Sequence, residues 1–171
     1  MEKYALLIIN MINEFVYGNK KCENPKEIIG PIKEISSIFR ENGFPVVYIC
    51  DSKTNDCGEK DIGEKIIDDL APSDGDFIVK KEKYSGFFGT ELDELLKKKD
   101  IKNLVFSGLS TSLSVRHTAA DAYYRDYKCI MLTNACCDVK KDLHLKSILY
   151  IRDFYGASAV STMNFPRLYL S

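Results

Sequence analysis

Five places along the chain gather side chains able to handle protons, carbonyls or nucleophilic attack: Asn10, Asp51, Lys81, the run Ser110-Thr111-Ser112-Leu113-Ser114, and Asn134. Each follows a short apolar run. A lysine, a carboxylate and a set of hydroxyls are the raw material of acid–base or nucleophilic chemistry, provided the fold brings them together. Nucleotide binding by the common glycine-rich routes is excluded. The first apolar run leads into Asn10-Met11-Ile12-Asn13-Glu14, and neither G-x-G-x-x-G nor a P-loop occurs.

The elements that must position these residues alternate in type. Tyr4 to Ile9 is a continuous apolar run, the pattern of a central strand buried on both faces. Asn24-Pro25-Lys26-Glu27 predicts a helix start with Asn24 as its cap; Ile28, Ile32, Ile35 and Phe39 form its apolar stripe. Pro31 inside that segment implies a kink or a later true start. Phe44 to Cys50, Asp76 to Lys80, Asn103 to Gly108, Cys129 to Thr133 and Ser158 to Ser161 read as five further strands. Between them, helices are expected at Asp61 to Leu70, at Glu91 to Lys99 capped by Thr90, at about Val115 to Tyr124, and from about Asp142 to Phe154, closed by Gly156. The pattern predicts an α/β fold: a three-layer, doubly wound (Rossmann-like), six-stranded parallel sheet with helices on both faces, spanning 1–171 as one domain. Ligands of such sheets bind beyond the carboxyl ends of the strands, where the strand order reverses, and the five polar places lie at those ends.

Composition narrows the partners. With 171 residues, 45% hydrophobic and 29% charged, the chain reads as an ordinary globular protein. A net charge of −1 supplies no field for nucleic acid, and no apolar run approaches the ~18 residues of a membrane span. The Met1-Glu2-Lys3-Tyr4 start has no signal-peptide character, so a cytoplasmic location and reduced thiols are expected for the six cysteines.

Three segments carry a family resemblance: ALLIINMINEF (Ala5 to Phe15), KEKYSGFFGTELDELL (Lys81 to Leu96) and SGLSTSLSVRHTAADAYYRDY (Ser107 to Tyr127). In order and spacing they resemble the isochorismatase-like superfamily of cysteine hydrolases, nearest the N-carbamoylsarcosine amidase branch. The resemblance implies a six-stranded parallel sheet, hydrolysis of a C–N bond in a small amide or ureide, and assembly as a homodimer or homotetramer. It implies an Asp–Lys–Cys set, whose positions here are Asn10, Lys81 and Ser114. It also implies an oxyanion hole from the backbone N–H groups of Ser110 and Ser114 behind a non-proline cis peptide, with Asp51, Tyr84 and Phe87 against the substrate.

Two of the three catalytic positions depart from that pattern. An amide at Asn10 has no useful basicity, and a serine hydroxyl is far less acidic than a thiol near ~8.5. Only a neutral Lys81 could then serve as base, making a Ser–Lys dyad. Family members that lack the cysteine protonate a vinyl ether through the first-strand acid, which Asn10 cannot do. Some branches hold a metal through Asp-x-His after the second strand; here that stretch reads Asp51-Ser52-Lys53-Thr54. No catalytic metal and no cofactor are expected. His117 is expected to be a helix or interface residue, His144 an exposed one, Cys136 and Cys137 packing residues, and Arg116 and Asp121 ion-pair or interface residues. Two functions stay open: an altered hydrolase, or a non-catalytic member that binds a small molecule or partners an oligomer.

Overall fold

A computed structural model describes residues 2–19, 21–52 and 62–170. β1 (Tyr4–Ile9) is buried along its whole length, and its side chains alternate between two cores. Tyr4, Leu6 and Ile8 face one core, while Ala5, Leu7 and Ile9 face the other. That double burial is why the strand reads as unbroken apolar sequence rather than as an alternating pattern.

The chain continues through a four-residue helix α1 (Asn13–Val16) and a 3-10 turn, Pro25–Ile28. α2 (Ile29–Glu41) begins only after that turn, so Pro31 falls in its first turn, where a missing N–H costs nothing. Asn24 is not the expected side-chain cap; it sits at φ 50° and offers its carbonyl to the Glu27 N–H at 3.0 Å. β2 (Val46–Asp51) and β3 (Phe77–Lys81) follow, then α3 (Leu92–Lys98), β4 (Asn103–Leu109), α4 (Arg116–Tyr123), β5 (Lys128–Cys137), α5 (Lys141–Tyr155), β6 (Ser158–Val160) and α6 (Phe165–Tyr169), the last also unanticipated.

All five strand pairings are parallel, in the order β3-β2-β1-β4-β5-β6. The chain winds outward from β1 to β3, then returns to β1's other side, so the order reverses between β1 and β4. α2 and α6 pack on one face through Ile32, Ile35, Phe39 and Phe165. α3, α4 and α5 cover the other through Leu92, Leu96, Ala119, Ala122, Ile148 and Ile151. Among the described residues, no helix is long and apolar enough to cross a membrane.

The helix expected over Asp61 to Leu70 does not form. Asp61 lies outside the described residues, and the rest is two 3-10 turns, Ile62–Glu64 and Asp68–Leu70, joined by an extended link. The link spends its backbone groups on the loop after β1: Asn13 N–H bonds Lys65 O at 2.9 Å and Ile67 N–H bonds Met11 O at 3.1 Å. A backbone paired outward cannot also close helical turns. β5 runs four residues beyond its expected end, because its register against β4 jumps from Phe106↔Met131 to Gly108↔Cys136.

Candidate functional site

The carboxyl ends of β1, β2 and β3 and the start of the segment after β4 meet at the reversal point, and they bring together Asn10, Asp51, Lys81 and Ser114. Asn10 ends β1 in the left-handed region, φ 54°, which asparagine tolerates better than most residues. That turn folds its side chain back across the strand ends. Its Oδ1 accepts the backbone N–H of Asp51 at 3.0 Å, and its Nδ2 donates to Ser114 Oγ at 3.2 Å. The amide orientation is dictated by chemistry. A backbone N–H can only donate, so the oxygen must face Asp51 and the NH2 must face Ser114.

Lys81 ends β3 with its side chain wholly buried. A buried lysine needs partners for its charge and for each N–H. The ammonium has three: the Asp51 carboxylate, the Lys83 carbonyl at 3.1 Å and Ser114 Oγ at 3.3 Å. Asp51 thus acts first as the counter-ion of Lys81.

Ser114 sits 3% exposed in a π-type turn, Thr111–Val115, that opens into α4. The expected helix start at Val115 is therefore displaced to Arg116. The Leu109–Ser110 peptide before the turn is cis. Gly108 brings the turn this close to β1: at φ 102°, a Cβ there would stand 2.1 Å from the Ile9 carbonyl oxygen.

One residue that sequence reasoning missed, Asp138, helps to hold the turn from the β5 side. Asp138, 2% exposed, accepts the Ser112 N–H at 2.5 Å, and Thr111 Oγ1 donates to Cys137 O at 3.0 Å. His144, expected to be exposed, is half-buried instead, with Nδ1 2.8 Å from Thr111 Oγ1. It lines a cavity of about 480 Å³ together with Cys136, Cys137 and Asp138. Asp138 directly follows β5, and that strand-end position was the available signal. Burial pushes the Cys136 thiol up to about 12, so it is no replacement nucleophile.

The 82–89 loop docks onto α4 through hydroxyls. Ser85 Oγ donates to Asp121 at 2.5 Å and accepts the Phe87 N–H at 3.2 Å. Gly86 N–H reaches Thr118 Oγ1 at 2.9 Å, and Thr118 in turn donates to the Ser114 carbonyl at 2.7 Å. Asp121 also pairs with Arg125, while Arg116 lies over the Tyr150 ring. Tyr84 is half exposed and stacks on His117 with centroids 5.6 Å apart. Phe87 is placed elsewhere: 4% exposed in the core, it stacks on Tyr127. Asn134 is spent on Thr162, exchanging bonds of 3.0 and 2.9 Å. Lys53, Thr54 and Cys57 lie outside the described residues.

Residues 4–163 match the isochorismatase domain. Among solved structures, N-carbamoylsarcosine amidase from Thermoplasma acidophilum is 34% identical with a TM-score of 0.85, covering 94% of this chain and 96% of that one. Nicotinamidase PncA from Bacillus subtilis is 27% identical with a TM-score of 0.86, covering 93% and 99%. Ureidoacrylate amidohydrolase RutB from Acinetobacter baylyi is 37% identical over 93 residues, 54% of this chain and 38% of its own length. The chain spans well under two thirds of that curated relative.

Proposed function

Because the chain belongs to the isochorismatase family of hydrolases, we propose that its cleft binds a small amide or ureide and that the covalent hydrolysis ordinarily carried by such a site is silenced. The ligand class is supported by relatives named as amidase, nicotinamidase and ureidoacrylate amidohydrolase. The silencing rests on one observation: both side chains that touch Ser114 Oγ are hydrogen-bond donors. A nucleophile must hand its proton to an acceptor as it attacks. Asn10 turns its NH2 toward the hydroxyl and cannot turn its oxygen there without leaving the Asp51 N–H unpaired. Lys81 reaches the hydroxyl as a donor while paired with Asp51. General-base assistance is worth ~10²–10⁴ in rate, and this arrangement offers none.

A second reading, a slow serine hydrolase, draws on the 3.3 Å approach of Lys81 Nζ to Ser114 Oγ. Calorimetric binding and product assays with nicotinamide, N-carbamoylsarcosine and ureidoacrylate separate the two. The proposed function expects binding without turnover by the unmodified chain, and turnover once Asn10→Asp and Ser114→Cys are combined. Turnover by the unmodified chain that disappears in Ser114→Ala overturns it in favour of the second reading.

A further inference from the structure

Ser114 Oγ has both lone pairs engaged, by Asn10 Nδ2 at 3.2 Å and Lys81 Nζ at 3.3 Å. Its own hydrogen therefore points away from both, and a hydroxyl that accepts two bonds, one from an ammonium, is strengthened as a donor. The positive charge beneath it is not offered to a ligand. Lys81 is wholly buried and all three of its N–H groups have acceptors, whereas 36% of the Asp51 side chain remains exposed. The charge this pair presents to solvent is thus the carboxylate.

We propose that Ser114 and Asp51 make the cleft selective for an uncharged amide or ureide over the corresponding carboxylic acid. Ser114 donates to the ligand's C=O, and Asp51 accepts its N–H. The two oxygens bond one and the same Nζ, so they lie within about two hydrogen-bond lengths, ~6 Å, of each other. An amide can place its C=O and N–H against partners so spaced. A carboxylate has no N–H to give and meets the like charge of Asp51. Replacing the nucleophile's role with a donor's role thus turns a substrate cleft into a receptor that distinguishes an amide from the acid its hydrolysis would yield. This inference rests on the reading that the cleft binds without hydrolysing.

Titration calorimetry at pH 7 with the isosteric pairs nicotinamide/nicotinate and benzamide/benzoate tests it. The expected result is tighter binding of each amide by about tenfold or more, in keeping with the cost of juxtaposed like charges. Asp51→Asn brings the two members of a pair within about threefold, Asp51→Glu retains the preference, and Ser114→Ala weakens the amide. Equal binding of amide and acid, or tighter binding of the acid, by the unmodified chain overturns the selectivity and leaves the binding function standing. No binding of either amide at millimolar concentration overturns both.

Discussion

Replacing Gly108 by alanine tests how tightly β4 is pressed against β1, and with them the two halves of the site. The added Cβ would stand 2.1 Å from the Ile9 carbonyl oxygen, 2.7 Å from its nitrogen and 2.9 Å from its carbonyl carbon. All three are backbone atoms in a central strand, which cannot swing aside as a side chain would. The φ of 102° alone costs an L-residue about 1–2 kcal/mol. Overpacking typically adds ~1–3 kcal/mol, so Gly108→Ala should lose about 2–5 kcal/mol from a total of the order of 5–15. Gly156→Ala is the control, since it shares a positive φ of 63° but a Cβ there meets open space. Its expected loss is the conformational cost alone, ~1–2 kcal/mol. Urea unfolding of both variants at 25 °C measures the difference, and at ~2–4 °C per kcal/mol the melting temperatures should separate by several degrees. Because Ile9 precedes Asn10 and Gly108 precedes the turn to Ser114, folded Gly108→Ala should also bind amides more weakly. Equal losses in the two variants would refute the crowding argument.

Ser85→Ala removes the bond to Asp121 and the bond from Phe87 N–H. It should cost about 1–3 kcal/mol in urea unfolding and raise backbone exchange through the 82–89 loop. Burial holds the His144 imidazole below its ordinary value, against a hydrogen bond it donates to the Thr133 backbone and the charge of Asp138. The unfolded chain therefore takes up that proton first. Stability is full above pH ~6.5 and is lost as the pH falls from there to the folded group's lower value. His144→Gln should unfold with a smaller drop in urea midpoint between pH 7.5 and 5.5 than the unmodified chain; an unchanged drop would contradict this. Burial also pushes the thiols of Cys50, Cys129 and Cys136 up to about 12. Peptide mapping after iodoacetamide at pH 8 should find these three unmodified in the folded protein and labelled in urea.

The parallel sheet was legible because a strand buried on both faces must be apolar throughout, and Tyr4 to Ile9 is so in full. Helix periodicity located α2 through Ile32, Ile35 and Phe39, and α5 through its closing Gly156. What escaped were segments governed by partners distant in sequence. Ile66 carries helical spacing toward Ile62 and Leu70, yet it bridges to Ile12, more than fifty residues away. β5 outran its expected end because a bulge against β4 kept Ala135 to Cys137 in the sheet. At the site, strand ends were enough to assemble Asn10, Asp51, Lys81 and Ser114, but not the direction of their hydrogen bonds. In the folded chain Asp51 pairs with Lys81, and Asn10 is anchored by the Asp51 N–H. Phe87 shows the opposite failure: its place in a site-like motif said nothing of a side chain turned into the core against Tyr127.

If Ser114 lacks a proton acceptor, it forms no acyl adduct, and adduct trapping reads this out at the residue itself. The unmodified chain, Ser114→Cys, Asn10→Asp and the double variant are each mixed with p-nitrophenyl acetate, and the peptide carrying position 114 is examined by mass spectrometry over time. The expected result is no adduct at Ser114 in the unmodified chain and rapid acylation in the double variant. Ser114→Cys alone should acylate about 10²-fold or more slowly than the double variant, the share a general base contributes. Acylation of Ser114 in the unmodified chain, or equal rates for Ser114→Cys with and without Asn10→Asp, would contradict it.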